Sequence, residues 1–384
     1  MRYRILKYQG ICRNLIEKYA HIVKETGLYI IVEATPGDIE LLRKQCSGIS
    51  VIPEDDIGGV RLHFGYSLGD AVTIDEIKSL VGFNKLIDAG YSDNGIVISV
   101  IGTGCNIDKL PDSIKNRVTL LDFTGEGPQD DLNHDTHVVR IIGELCPNVR
   151  IRCIRVVSSD KSITNKNMLD AVEDAYFESH IINCSWGFEG DTCQFYKWYH
   201  GLMNFVYYAD PPLYFVASAG NDDNTINAVA YPAADQYAIA VGALNKDGSV
   251  ADFSSRGPFI CDGISVPKPD VSTYGIVDID GQVVSGTSFS APIVTAFIAY
   301  LYGKEANTKK LNILSGHRIN PRYGVEKWSN DYGYGMLMAM SGSYAGAMSF
   351  DVMQYAMPML AIGFGAVMPI AALKSVVEIF NRLK

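Results

Sequence analysis

Between residues 71 and 345, strand-like apolar runs alternate with helical patterns, and this alternation limits the fold more than any other feature. The runs GIVISVIG (95–102), VRIRCIRVV (149–157), HIINCSWG (180–187), LYFVASAG (213–220) and YAIAVGAL (237–244) read as strands. MLDAVEDAYFES (168–179) and SFSAPIVTAFIAYLYG (288–303) read as helices. Strands separated by helices pair parallel through crossovers, and a parallel sheet needs helices on both faces. The expected class is α/β, a three-layer domain built on a mostly parallel sheet. Residues 1–70 precede it as a small α+β unit. There RYRILKY, LYIIVEA, GISVIPE and GVRLHF read as strands, and CRNLIEKYAHIVKE and GDIELLRKQC as helices. Residues 346–384 form a third region, a tail whose stretch 352–373 has no charged residue. That stretch is long enough to cross a bilayer, and equally suited to a protein groove, so a membrane anchor and an assembly contact both stay open.

Four segments carry polar chemistry at element ends. In SGTSFSAPIVTAFIAYL (285–301), Ser288 opens a helix, where free N–H groups and the dipole favour developing negative charge. LNHDTHVVRIIGE (132–144) places His134 and His137 at another helix start. LYFVASAGNDDN ends a strand at Ala219-Gly220-Asn221, and IINCSWG ends one at Ser185-Trp186-Gly187. A nucleophile, a base, an amide donor and a strand edge for substrate are what acyl transfer requires.

With these residues quoted, the sequence resembles the subtilisin-like serine proteases from about residue 80 to 340. HDTHVV is similar to that family's H-G-T-H-V-A, which implies His134 as general base. SGTSFSAP resembles G-T-S-x-[AS]-x-P, which implies Ser288 as nucleophile. ASAGN is similar to the segment of the oxyanion-hole asparagine, here Asn221, with Ala219 and Gly220 beside the substrate. INCSWG resembles I-N-x-S-L-G, which implies that Ser185, Trp186 and Gly187 pair with bound peptide, Trp186 narrowing the nearby subsites. YPAADQYAIAVGALNKDGSVADFSSRGP, KPDV and DYGYGMLMA are similar to further segments of the family in the same order. IELLRKQCSGISVIPEDD resembles the end of the family's propeptide, which implies that the N-terminal domain covers the cleft as chaperone and inhibitor.

The resemblance breaks at one position. The family's aspartate ends a strand in V-x-[IV]-D-[ST]-G, and here that strand reads VIGTG with Gly102, 32 residues before His134. The missing carboxylate fixes the histidine tautomer, and in subtilisin its removal alone lowers kcat about 3 × 10⁴-fold. Asp135 and Arg140 stand where the family has glycines, so local remodelling is expected. Successive helical residues diverge by about 100°, so Asp135 is not expected to face the His134 ring. Asp122, Glu126, Asp130 and Asp131 in the preceding loop are looser substitutes. The expected function is a serine endopeptidase that is weak or atypical because the triad aspartate is absent. The alternative is a pseudoprotease acting as a peptide-binding or assembly component.

The net charge of −10 and the lack of a basic face argue against nucleic acid. The expected partners are a peptide or protein substrate and the chain's own N-terminal domain. No cofactor or metal is expected. Only LCPN separates RIIGE from the next strand, where many of the family carry a longer calcium loop, so that site is expected to be missing. Asp222, Asp223 and Asp270 leave weak calcium binding open and otherwise read as solvated. The charged N-terminus has no secretory signal, and the eight cysteines form no CxxC pair. Buried thiols in a reducing, intracellular compartment are therefore expected, with membrane or particle association through the tail left open.

Overall fold

The computed structural model describes residues 1–339 apart from 8–11, 47, 63–69, 189, 223–224, 306–312 and 320–324. The expectations for the tail, including the span 352–373, lie outside the described residues. Among the described residues, no helix is long and apolar enough to cross a membrane.

The core is a nine-stranded sheet. Its order runs Arg318–Ile319, Met336–Leu337, Val271–Tyr274, Ile239–Leu244, Tyr214–Ser218, Ile181–Cys184, Val97–Gly102, Arg150–Arg155, Val118–Asp122. Every pairing is parallel except the edge pair Arg318–Ile319 with Met336–Leu337. The central strands are buried along their whole length, as strands covered on both faces must be. On one face lie the helices His134–Leu145 and Thr287–Glu305, within one apolar cluster that includes Val138, Ile142, Phe289 and Phe297. The serine helix has no polar face and is buried on all sides through Tyr302, which is how a helix apolar all round must sit. On the opposite face, Asn165–Glu178 and Thr192–Tyr207 contribute Leu169, Val172, Leu202 and Val206 to a second cluster.

The N-terminal unit is a four-stranded antiparallel sheet carrying two helices, Arg13–Tyr19 and Pro36–Gln45. HIVKE, read above as the end of a helix, is instead the strand His21–Glu25, paired with Tyr29–Glu33. Its β-branched Ile22 and Val23 suit a pleated surface, and the partner strand decides the matter. The unit docks on the helix Asn165–Glu178. The buried Arg4 guanidinium lies 2.7 Å from both Glu54 and Asp170, and the Leu28 N–H donates to Glu173 Oε1 at 2.7 Å.

Two disulfides correct the expectation for the cysteines: Cys12–Cys46 and Cys193–Cys261 are bonded, while Cys105, Cys146, Cys153 and Cys184 are free and buried. The bonded pairs are 34 and 68 residues apart, so only the tertiary fold brings their Cα atoms to 6.0 and 5.3 Å. Among the described residues, the cluster of metal-ligating types Cys193, Cys261 and Asp262 contains one of these disulfides, which removes both sulfurs as ligands.

Candidate active site

The strand Val97–Gly102 and the helix His134–Leu145 meet end to start. His134 is the first helical residue, because Asn133 before it adopts the left-handed conformation (φ 57°) and turns the chain into the helix. The turn is held by Asn133 Oδ1, which accepts from Asn106 Nδ2 and Lys109 Nζ, each at 2.7 Å. His134 is 2% exposed and its ring lies 5.9 Å from that of Phe289.

At this junction the expectation for Asp135 fails. Its Oδ1 lies 2.7 Å from His134 Nδ1. Its Oδ2 accepts the Thr103 N–H at 2.7 Å, and the Asp135 N–H donates to Thr103 Oγ1 at 3.2 Å. The 100° divergence governs where Cβ atoms point. In the first helical turn, both side chains can still swing toward the strand end and close the remaining gap with a hydrogen bond. They need room, and Gly102 leaves it: a Cβ on residue 102 would sit 2.1 Å from Asp135 Oδ2. Since a carboxylate only accepts, Nδ1 carries a proton, and in the neutral ring Nε2 is then the nitrogen with the lone pair.

The loop carboxylates are engaged elsewhere. Asp122 accepts the N–H groups of Thr124, Gly125 and Gly127, which together with its Thr124 hydroxyl contact hold it below the usual carboxylate range. Glu126 and Asp131 pair with Arg155, and Asp130 accepts from the N–H and hydroxyl of Thr136. Burial, with the Asp135 charge nearby, pushes Asp130 up. Arg140, whose side chain is 14% exposed, pairs with Glu144 and Asp280.

Ser288 is the second residue of its helix and fully buried. Its Oγ donates to the Ser185 carbonyl at 2.6 Å, and Ser185 Oγ returns a bond to the Ser288 carbonyl at 2.9 Å. Behind them Asn183 Nδ2 donates to Ser185 Oγ and Thr295 Oγ1 to Asn183 Oδ1, each at 2.9 Å. Asn221 Oδ1 accepts from the Thr287 N–H (3.1 Å) and hydroxyl (2.9 Å), so its amide N–H₂ is the end left to donate. Ala219 is buried, and the Gly220 N–H donates to Thr287 Oγ1 at 3.2 Å. Gly220 has φ +118°, and a Cβ there would meet Ser255 Oγ at 2.6 Å, so both backbone and space call for glycine.

The strand edge expected to pair with substrate pairs with another part of the chain. Asp56–Leu62 leaves the N-terminal sheet and lies antiparallel between Ser162–Thr164 and Trp186–Phe188. Leu62 stands opposite Trp186, Arg61 opposite Gly187 and Val60 opposite Phe188. The Trp186 indole is buried against Phe188 and its Nε1 donates to the Ile101 carbonyl at 2.7 Å. It braces the strand from within, unlike the subsite-narrowing role expected of it.

The subtilase family model matches residues 93–335, well over half of the chain. The chain belongs to the subtilase family. Among the relatives of this subtilase is the minor extracellular protease Epr of Bacillus subtilis, 27% identical over 278 residues that cover 67% of this chain and 41% of the relative. A thermophilic serine proteinase of Bacillus sp. is 30% identical over 57% of this chain and 55% of its own length. The subtilase thus spans about half the length of such relatives. Its fold is similar to that of fervidolysin from Fervidobacterium pennivorans, with a TM-score of 0.59 at 18% identity over 88% of this chain and 60% of the other. The motif reading passed over Thr103, Asn183, Thr287 and Thr295. The signal for Asp135 was present in the sequence as two complementary departures, an aspartate lost at 102 and one gained at 135.

Proposed function

We propose that the chain is a serine endopeptidase held in check by its own N-terminal domain. The observation that carries this reading is the three-stranded sheet at the substrate edge. An extended peptide, Asp56–Leu62, is gripped on both sides, and its Leu62 end stands opposite Trp186, next to Ser185, whose carbonyl holds the Ser288 hydroxyl. Such a groove takes backbone from both edges, which is what protein substrates supply.

In the proposed reaction Ser288 Oγ attacks the peptide carbonyl carbon while His134 Nε2 takes the hydroxyl proton. The developing oxyanion receives the Asn221 amide and the Ser288 N–H at the positive end of its helix. The imidazolium then gives the proton to the departing amine, leaving an acyl-enzyme. A water, deprotonated by the same imidazole, releases the acid and restores the serine. Before attack the Ser288 hydroxyl must turn from the Ser185 carbonyl toward His134, and departure of the inhibitory strand provides the occasion. The two disulfides support folding in an oxidising compartment rather than the reducing one expected.

The second reading, a pseudoprotease that binds peptide without cutting it, draws on the filled groove and on the Ser288–Ser185 bond. Turnover of a peptide p-nitroanilide by the full chain separates the two. Hydrolysis that Ser288→Ala abolishes is expected. Its absence, even when the N-terminal unit is loosened by Asp170→Asn, leaves the pseudoprotease reading standing.

A further inference from the structure

We infer that Asp135 is the positioning residue of His134, and that the triad carboxylate of this subtilase has moved from the strand end to the helix start, with Gly102 as the vacancy that receives it. The inference rests on the peptidase reading for its catalytic meaning, but its geometry is independent of it.

A positioning carboxylate must reach Nδ1, hold the proton there and stay still. Asp135 does the first two through Oδ1 at 2.7 Å. It is kept still by complete burial, by the Thr103 N–H on Oδ2, and by the bond from its own N–H to Thr103 Oγ1. It also lies in the first turn of its helix, where the dipole favours negative charge. Thr103 therefore latches strand and helix from both sides.

Gly102 completes the case. It is absent from the positive-φ residues, so its backbone imposes no demand for glycine. Space does. All three nearest neighbours of a Cβ at 102 are atoms of the Asp135 carboxyl group, at 2.1, 3.0 and 3.2 Å. The volume that a strand-borne aspartate would fill is occupied by a helix-borne one. The two substitutions form one exchange, and each alone is unfavourable: a side chain at 102 collides with Asp135, and removal of Asp135 leaves Nδ1 without its acceptor. In Asp135→Asn, an amide N–H facing Nδ1 would force that nitrogen to accept, which moves the ring proton to Nε2 and removes the base.

The test uses the full chain as wild type, Asp135→Asn and the exchange Gly102→Asp/Asp135→Gly. Two readouts are taken: steady-state hydrolysis of a peptide p-nitroanilide, and the downfield Nδ1 proton resonance of histidine-labelled protein in a Ser288→Ala background. Asp135→Asn is expected to lower kcat by about 10⁴-fold at nearly constant KM and to abolish the resonance. The exchange is expected to restore the resonance and most of kcat. An exchange variant that does not fold leaves the decision to the isosteric Asp135→Asn. Unchanged kcat and an unchanged resonance in Asp135→Asn would overturn the inference. Wild-type protein that shows the Asp135-dependent resonance but no hydrolysis, even when Asp170→Asn loosens the N-terminal unit, would instead refute the peptidase reading and leave the positioning intact.

Discussion

Gly102→Ala is the smallest change that probes the strand–helix junction. The backbone accepts alanine there, so the effect comes from one methyl group. At 2.1 Å from Asp135 Oδ2, the methyl requires the carboxylate to retreat by about 1 Å before the contact reaches the 3.0 Å that real Cβ atoms tolerate. Each of the two bonds at stake is 2.7 Å long, and about 1 Å added to either takes it beyond hydrogen-bond range. A hydrogen bond to a charged group contributes about 1.5–3 kcal/mol, so losing one costs that much and losing both about twice as much. If the bond to His134 is the one lost, kcat falls by as much as ~10⁴-fold, the effect of removing the orienting carboxylate outright. The assay pairs thermal or urea unfolding with steady-state kinetics on wild type, Gly102→Ala and Gly102→Ala/Asp135→Gly. The single variant is expected to lose both stability and kcat with little change in KM. The double variant, relieved of the collision but lacking the carboxylate and both of its bonds, is expected to recover neither stability nor kcat. Wild-type kcat and stability in Gly102→Ala would refute the reasoning, because the methyl would then have found room without moving Asp135.

Three further outcomes follow from the same geometry. Asn221→Ala removes the side-chain donor whose Oδ1 is fixed by Thr287, and kcat is expected to drop by about 10²–10³-fold at similar KM; a change confined to KM would assign Asn221 to ground-state binding. Asp170→Asn weakens the ion pair that docks Arg4, and breaking such a buried pair costs up to about 3–5 kcal/mol. Faster proteolysis within residues 1–62 and a higher rate of peptide turnover are expected, and unaltered proteolysis would show that docking does not depend on Arg4. His180 is half-buried with Nδ1 accepting the Val97 N–H at 3.0 Å, and burial, with Arg150 adding to it, pushes its pKa down. The folded state then binds fewer protons than the unfolded one, so stability falls as pH drops below about 6.5 and continues to fall until the folded pKa is passed. His137, also depressed by burial and by the charges of His134, Lys109 and Arg140, acts in the same direction. In urea titrations between pH 7 and 5, His180→Gln should reduce this slope, and an unchanged slope would exclude His180 as a contributor.

The alternation of apolar strands and helical segments, and the order of the histidine, asparagine and serine motifs, were legible in the chain because both are local. A parallel sheet follows from run length and crossover spacing, and Ser288, His134 and Asn221 stand at element ends that short patterns mark. Local reasoning failed wherever a contact joined distant segments. HIVKE became a strand because Tyr29–Glu33 lies beside it. Half of the cysteines found partners 34 or 68 residues away. Trp186 turned toward the Ile101 carbonyl, and Asp56–Leu62 paired with Trp186–Phe188 rather than with the N-terminal sheet. The sharpest case is Asp135. Its identity and its place after His134 were in the sequence, as was the glycine at 102. That the carboxylate enters the space left by that glycine is a property of two element ends 32 residues apart meeting at 2.7 Å. Helical periodicity describes one element at a time, so the hydrogen bond to His134 was decided only when strand and helix were packed together.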